Sequence, residues 1–374
     1  MASNRRQFLQ HSLALAAGSL LMQGSLNAAE QRQRRLIDGL GFPGSLTTQP
    51  GAALKPEEVA SIASSQLCAS HLTVGEVGSM PPLRAFEKIV RDIARWEGQI
   101  DQHPQVLSRI RQGEDIEQAF SEGRTGLIYG LQDGVAFEDD LGRLDSLHQL
   151  GVRIIQPTYN RRNLLGDGCM EPANAGLSKQ GLLAVEKMNQ LGILLDLSHC
   201  GRQTADDAIA HSLRPVSFTH TGCAALAEHP RHRSDEEIRQ VAQGGGVTGI
   251  FVMPYLARGK QPTAADVIRH AEHALNVAGE DHVAIGTDGV LTPVTLTDDY
   301  KKAFAAQVRQ RAKLGIAAPF ETETGYLFAS DLNTPDRFVT LAQKLSDSGQ
   351  PGRVVDKVMG GNWMRLFSET WQSA

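Results

Sequence analysis

Two stretches of the chain, ILLDLSHC at residues 193–200 and VSFTHTGC at residues 216–223, decide the fold. Each begins as an apolar run of strand length and reaches a histidine, His199 in the first and His220 in the second. The residues between the two runs are patterned as a helix. This order of strand, helix and strand predicts a parallel βα unit.

The same unit recurs on both sides of this pair. Helix signals separate the apolar runs: Ser178 is placed to cap a helix that ends at Gly192, and Ser234 with Glu237 forms a capping box. Eight runs with helices between them, inside about 250 residues, predict an α/β fold of the (β/α)8 or TIM barrel type. The runs lie at residues 36–38, 72–75, 127–131, 152–157, 193–198, 216–220, 247–253 and 283–288.

The chain is predicted to hold a signal peptide at residues 1–29 and a single barrel domain at residues 30–374. From about residue 290 the barrel pattern ends and a C-terminal helical appendage follows. A helix start is expected near Thr334 and Pro335, and residues 353–367 are expected to be helical.

The N-terminus is patterned for export. Arg5, Arg6 and Phe8 precede an apolar run at residues 13–22, and a short Ala-rich segment ending at Ala29 offers a cleavage site. The paired arginines resemble a twin-arginine signal, which predicts an exported, periplasmic protein. No other apolar run approaches the roughly 20 residues that span a bilayer. A net charge of -5, from 37 basic and 42 acidic residues, argues against nucleic acid as a partner.

Polar side chains follow several predicted strands. Active sites of such barrels lie at the C-terminal ends of the strands, so these side chains are the candidates for a site. Two histidines after adjacent strands are placed to meet at one metal ion or one substrate, and neutral imidazole suits zinc. The candidates are Gln132, Asp133, Tyr159, Asn160, His199, His220 and Asp288.

Several of these residues keep more than one interpretation. Asp288, which precedes a glycine, could ligate a metal, act as a general base or only form a turn. Arg231 could receive a substrate carboxylate or be a solvated surface group. Cys200 and Cys223 could form a disulfide, supply thiolate ligands or be plain structural cysteines, and the pairing of the four cysteines, which include Cys68 and Cys169, stays open.

A set of motifs resembles the membrane (renal-type) dipeptidase family of metallopeptidases. The motifs are DLSH at 196–199, FTH at 218–220, Arg231, GTD at 286–288 and GNWMR at 361–365. The resemblance implies a barrel of the metal-dependent hydrolase type that carries two zinc ions, cleaves dipeptides with a metal-bridging water and can form a homodimer. It also implies that His199 and His220 bind one zinc, that Arg231 holds the substrate carboxylate and that Asp288 assists proton transfer.

The chain departs from the family at other site positions. The family has a His-x-Asp pair after the first strand, where this chain has Leu40 and Phe42; its bridging carboxylate falls at Gln132 and its substrate-contacting histidine at Tyr159. Leucine and phenylalanine bind no cation and a glutamine amide is a poor bridging ligand. We therefore expect at most one zinc, held by His199 and His220 with Asp288 and a further donor such as Asp133, Glu171 or a cysteine. The Tyr159 phenol is a candidate donor to an oxyanion.

Three functions follow from these residues. The leading one is an exported metallo-dipeptidase-like hydrolase that cleaves a dipeptide or related amide. The second is a periplasmic binding or accessory protein that lost hydrolysis together with its metal ligands. The third is a hydrolase or isomerase whose site is rebuilt from Asp133, Asn160, Glu171 and the cysteines.

Overall fold

The computed structural model describes residues 34–45, 52–78 and 80–372. The predicted signal peptide, residues 1–29, therefore lies outside the described residues. In the part of the chain that is described, no helix combines the length and the apolar character needed to cross a membrane.

Strands and helices alternate along most of the chain. The strands are β1 (Leu36–Asp38), β2 (Gly41–Phe42), β3 (Leu67–Thr73), β4 (Leu107–Arg109), β5 (Thr125–Leu131), β6 (Val152–Ile155), β7 (Leu194–Leu195), β8 (Ser217–Cys223), β9 (His232–Arg233), β10 (Val247–Ile250), β11 (Val283–Ile285) and β12 (Gly289–Val290). The helices are α1 (Pro56–Ser64), α2 (Pro82–Gln102), α3 (Gly113–Ser121), α4 (Arg143–Gln149), α5 (Lys179–Leu191), α6 (Arg202–His211), α7 (Asp235–Gln243), α8 (Ala264–Ala278), α9 (Asp298–Lys313), α10 (Arg337–Asp347), α11 (Gly352–Asp356) and α12 (Asn362–Thr370). A short 3-10 helix covers Pro254–Leu256 and a π-helical turn covers Lys357–Gly361.

Eight parallel strands close into a barrel. Hydrogen-bonded neighbours run β1-β3-β5-β6-β7 in one sheet and β8-β10-β11 in the other. A parallel bridge between Asp196 and Ser217, with Leu197 N donating to Ser217 O at 2.8 Å, joins the end of β7 to β8. Gly39 N donates to Ile285 O at 3.0 Å and joins the end of β1 to β11. The prediction of a (β/α)8 barrel is confirmed, and each predicted run overlaps one of its strands.

Local sequence signals set the helix ends. Ser178 accepts a hydrogen bond from Gly181 N before α5, and Gly192, at φ 69°, ends that helix. Ser234 and Glu237 form the predicted capping box at α7. These side chains satisfy N–H groups that the first turn of a helix leaves without backbone partners, so the predicted starts of α5 and α7 are confirmed.

Most strand bounds differ from the prediction by a few residues, and two of the differences matter for the site. β3 begins at Leu67, five residues before the predicted run. The prediction missed its first part because the polar Ser70 and His71, which are buried inside the sheet, interrupt the apolar pattern. β11 ends at Ile285, and the chain then turns through Asp288, at φ 54°, into β12. Asp288 therefore lies beyond its strand.

The C-terminal segment closes one end of the barrel. α10 begins at Arg337, two residues after Pro335, and the predicted helix at 353–367 is interrupted by the π-helical turn. Trp363 and Phe367 on α12 pack with inward-facing strand residues such as Ile37 and Val247, and Trp363 Nε1 donates to Ile285 O at 2.9 Å. The segment is therefore an integral wall of the core.

Candidate active site

Two adjoining cavities lie at the carboxyl ends of the barrel strands. The mouth cavity, about 130 Å³, is lined by polar side chains from four strand ends and from α9: Tyr159, Asn160, His199, Arg231, Asp288 and Arg311. The apolar cavity, about 230 Å³, is lined mainly by Leu40, Phe42, Val290, Val294, Leu327 and Phe328. Asp288 and Leu327 line both cavities.

Of the histidine pair, His199 lines the mouth cavity and His220 does not. The ring centroids of His199 and His220 are 5.1 Å apart, and both side chains are buried. Nδ1 of His199 lies 2.6 Å from Oδ1 of Asn160, whose amide nitrogen donates to Ile316 O. Because that Oδ1 can only accept, His199 carries its proton on Nδ1, and its Nε2 keeps a free lone pair.

His220 is oriented through a second network. Its Nδ1 lies 2.7 Å from Thr219 Oγ1, and that hydroxyl donates to Asp196 Oδ2 at 2.6 Å. The hydroxyl therefore accepts from His220 Nδ1, and among the described residues His220 Nε2 has no hydrogen-bond partner. Burial, assisted by the Arg231 charge, holds the pKa of both imidazoles well below the usual range, so both are neutral at pH 7.

Asp196 organises the two histidine loops. The fully buried carboxylate accepts from the backbone N–H and the hydroxyl of Ser198, and from the same two groups of Thr219, over distances of 2.6–3.1 Å. Sequence analysis quoted Asp196 within a motif but assigned it no role. Its position after β7, directly before a serine and a histidine, was the available signal.

Arg231 is a buried cation, with 2% of its side chain exposed, and not the solvated group that one interpretation allowed. It donates to the backbone carbonyls of Ser198 and His220. Among the described residues no carboxylate lies within ion-pair distance of it, whereas Arg233 pairs with Glu237 at 2.9 Å. A guanidinium has five N–H groups, and a buried charge without a counter-ion is costly. The arginine therefore favours an anion in the cavity.

Asp288 lines the same cavity as this cation. Burial raises the pKa of its carboxyl to about 6, although the positive charges of Arg231 and Arg311 act against that rise. Its left-handed backbone confirms the turn-forming interpretation, and its position in the cavity wall is compatible with a chemical role, which stays a prediction.

Tyr159 is held by groups that sequence analysis missed. Its ring stacks on His199 with centroids 4.1 Å apart, and its hydroxyl accepts from Arg311 Nη2 at 3.2 Å. Arg311 in turn forms an ion pair with Glu321 at 2.8 Å. Because Arg311 occupies an acceptor site of the phenol, the proton of the phenol remains available to a ligand. No sequence signal indicates that α9, which follows the barrel strands, reaches the mouth.

Other predicted residues lie away from the mouth cavity. Gln132 faces the apolar cavity, where its amide donates to Thr73 Oγ1 at 2.8 Å. Asp133 lines neither cavity and accepts from Gly78 N and Asn163 Nδ2, both at 3.1 Å. Glu171 lines a separate cavity together with Cys169 and Cys200. Cys169 Sγ also donates to Asn160 Oδ1 at 3.4 Å, so of the set predicted for a rebuilt site only Asp133 stands apart, and that third function stays a prediction.

Cys200 and Cys223 are not joined by a disulfide in this fold, so that interpretation is wrong. Cys200 Sγ accepts from Thr158 Oγ1 at 3.4 Å, and Cys223 Sγ donates to the His270 carbonyl at 3.4 Å. Each sulfur thus lies in its own hydrogen-bonded setting.

The residues present do not fit a two-zinc centre. His199 and His220 offer Nε2 lone pairs, but Leu40 and Phe42 offer no ligand and Gln132 is already bonded to Thr73. Catalytic zinc sites use three protein ligands, and within residues 34–45, 52–78 and 80–372 no group of three His, Cys, Asp or Glu side chains could hold a metal. The single zinc stays a prediction.

A closed (β/α)8 barrel with paired histidines, a carboxyl group and an arginine at its strand ends has the architecture of a barrel hydrolase. The model of the membrane dipeptidase family, peptidase family M19, matches residues 59–303. The chain belongs to this family, which confirms the resemblance seen in the sequence motifs.

Curated relatives include named dipeptidases. The chain is 31% identical over 222 residues to dipeptidase verJ of Clonostachys rogersoniana, a match that covers 58% of this chain and 57% of that protein. It is 25% identical over 269 residues to an uncharacterized protein in the pqqA 5' region of Klebsiella pneumoniae, covering 69% and 87% respectively. The match thus spans little more than half the length of the Clonostachys dipeptidase.

Solved structures share the whole fold. An amidohydrolase from Pseudomonas aeruginosa superposes with a TM-score of 0.76 at 32% identity, covering 93% of this chain and 99% of that one. The probable dipeptidase PvdM from the same organism has a TM-score of 0.74 at 17% identity, with coverages of 95% and 100%. At that identity the second likeness concerns the fold alone.

Proposed function

We propose that this protein is an exported hydrolase of the membrane dipeptidase family that binds a small peptide or related amide in the mouth cavity and cleaves its amide bond. The observation that carries the proposal is the pairing of Arg231, buried without a carboxylate partner among the described residues, with Asp288 in one cavity. Family membership supports the hydrolase class and a small peptide substrate. A homodimer, expected from the same resemblance, remains part of the proposal.

Arg231 is the proposed anchor for the substrate carboxylate. Two of its N–H groups are engaged by backbone carbonyls, which fixes the plane of the guanidinium. Remaining N–H groups are free to form charge-assisted hydrogen bonds, and these are roughly twice as strong as neutral ones. A substrate carboxylate would also neutralise the buried charge.

Asp288 is the proposed general base. Above pH 6 its carboxylate accepts a proton as the water oxygen attacks the amide carbon, and returns it to the leaving nitrogen when the C–N bond breaks. The Tyr159 hydroxyl, polarised by Arg311, donates to the developing oxyanion. Neutral His199 accepts a hydrogen bond from water or from the substrate N–H through Nε2.

The rate enhancement expected from the base and the oxyanion donor indicates the kind of amide substrate. A positioned base contributes roughly 10²–10⁴-fold and an oxyanion donor roughly 10²–10³-fold. Together they reach only the lower part of the range of about 10⁶–10¹⁷-fold that enzymes achieve. We therefore expect slow cleavage of plain dipeptides and faster cleavage of amides with good leaving groups.

The test is a hydrolysis assay of the mature, untagged chain on dipeptides and on aminoacyl p-nitroanilides. Asp288→Asn should lower kcat at least 100-fold, and Arg231→Ala should raise KM for substrates that carry a carboxylate. Asp133→Asn is the matched control, since this buried aspartate lies outside both cavities, and a folded variant should keep its activity within about threefold. Undiminished activity in Asp288→Asn would refute the assignment.

A second candidate is binding without turnover. It is favoured by the replacement of metal-ligand positions with Leu40, Phe42 and Gln132. In that case calorimetry on the same amides should detect binding that Arg231→Ala abolishes, while product analysis finds no cleavage. Cleavage that depends on Asp288 would exclude this candidate.

Export is supported by the sequence of residues 1–29 alone. Replacing Arg5 and Arg6 by lysine should leave the precursor in the cytoplasm, because the paired arginines are the feature that the route recognises. Replacing Arg34 and Arg35 by lysine is the matched control and should leave export intact. Cell fractionation with immunoblotting measures both, and normal export of the first variant would contradict the proposal.

A further inference from the structure

The apolar cavity adjoins the proposed site and has no role in it. At about 230 Å³ it is larger than an engineered apolar cavity of about 150 Å³ that binds benzene. Most of its lining is apolar; its polar residues are Thr73 and Gln132, which are bonded to each other, together with Asp288 and Tyr300. Such a space favours an apolar group over water.

The walls of this cavity are fixed by the fold. Leu40 N bonds to Asp38 Oδ1 at 3.3 Å, and Leu40 O accepts from Asp288 N at 2.7 Å. The Phe42 ring packs edge-on against Trp96 with centroids 5.8 Å apart. The parallel pairing of β2 with β12 ties Phe42 to Val290. The cavity is therefore a built feature of the barrel mouth.

The cavity adjoins the mouth cavity, because Asp288 and Leu327 line both. A ligand that extends past these two residues would reach the Arg231 guanidinium at one end and the apolar walls at the other. We infer that the apolar cavity is a recognition pocket for a benzene-sized side chain of the ligand whose carboxylate binds Arg231. This inference rests on the proposed function for the carboxylate and names the substrate class, a carboxylated amide with a bulky apolar group.

The test compares two acids that contain no amide, 3-phenylpropanoate and butanoate, by ligand-observed NMR titration of the mature chain. The wild type should bind 3-phenylpropanoate at least tenfold more tightly, because only its ring fills the pocket. Val294→Trp fills the cavity and should reduce that ratio to below threefold. Val339→Trp is the matched control on the exposed face of α10 and should preserve the ratio.

Arg231→Ala separates this inference from the proposed function. Weaker binding of both acids in this variant, with the ratio between them kept, supports the carboxylate site and the pocket together. Equal binding of the two acids by the wild type, lost in Arg231→Ala, overturns the pocket and leaves the carboxylate site standing. If Val294→Trp abolishes a tenfold ratio but Arg231→Ala binds both acids as tightly as the wild type does, the carboxylate site is overturned. Failure of both acids to bind the wild type overturns both.

Discussion

At the residue scale, Asp288 joins the backbone of the barrel to its chemistry. A residue other than glycine at φ 54° is uncommon, although aspartate tolerates the left-handed region better than most. The hydrogen bond from Asp288 N to Leu40 O holds this conformation and turns the carboxyl into the mouth. The same burial that fixes the side chain raises its pKa to about 6.

The pH dependence of the reaction follows from that pKa. A general base must be ionised, so kcat/KM should rise about tenfold per pH unit below pH 6 and level off above it. Tyr159→Phe, which keeps Asp288 in place, should lower the plateau and retain the pH at which the profile turns. Rate profiles from pH 4.5 to 8 measure this, and a profile that turns near pH 4 would contradict the assigned base.

The sequence was sufficient to predict the site residues that follow directly after a barrel strand. His199, His220, Tyr159 and Asp288 meet because the carboxyl ends of parallel strands form one rim. Asp133 also follows a strand, but its loop directs the carboxyl toward Gly78 N. Loop conformation depends on tertiary contacts that one sequence does not reveal.

At the element scale, the π-helical turn at Lys357–Gly361 lets the C-terminal helix reach the barrel. Gly360 lies so close to the chain before β1 that an added Cβ would meet the Arg35 carbonyl oxygen, with Ile37 Cγ1 3.3 Å away. Helical periodicity predicted residues 353–367 as one helix. The interruption was not predicted, because a close backbone approach leaves no periodic signal. The eight barrel strands were predicted more completely, since an apolar run overlaps each of them, whereas the short strands β2, β4, β9 and β12 were not predicted.

Gly360→Ala should destabilise the fold by about 1–3 kcal/mol, because the new methyl group overpacks a fixed backbone. Gly352→Ala is the matched control, since an added Cβ there has no neighbour within 4 Å. The free energy of unfolding in urea measures both variants. Equal stability of the two would show that the turn tolerates a side chain.

At the scale of the whole molecule, the closed barrel buries an unusual set of titratable groups. Burial lowers the pKa of six deeply buried histidines, and it raises the pKa of three buried aspartates. The histidines and the aspartates have opposite effects on how stability changes with pH. The histidines are His71, His199, His220, His229, His232 and His270, and the aspartates are Asp38, Asp133 and Asp288.

In the unfolded chain these histidines are protonated below about pH 6.5, whereas in the folded chain they stay neutral. Acid therefore favours unfolding. The aspartates oppose this between about pH 4 and 6–7, because the folded state retains their protons. The histidines outnumber the aspartates, so stability should fall by a few kcal/mol from pH 6.5 to pH 5. Urea midpoints at several pH values test this, and greater stability at pH 5 would contradict it.

The central claim is that the chain keeps the barrel of its family without the ligands of a two-zinc centre. Elemental analysis of the mature, untagged protein tests it most directly. We predict at most one zinc per chain, lost in His199→Ala, and additional zinc in the variant that combines Leu40→His, Phe42→Asp and Gln132→Glu, which restores donor atoms. Two zinc ions per wild-type chain would contradict the account.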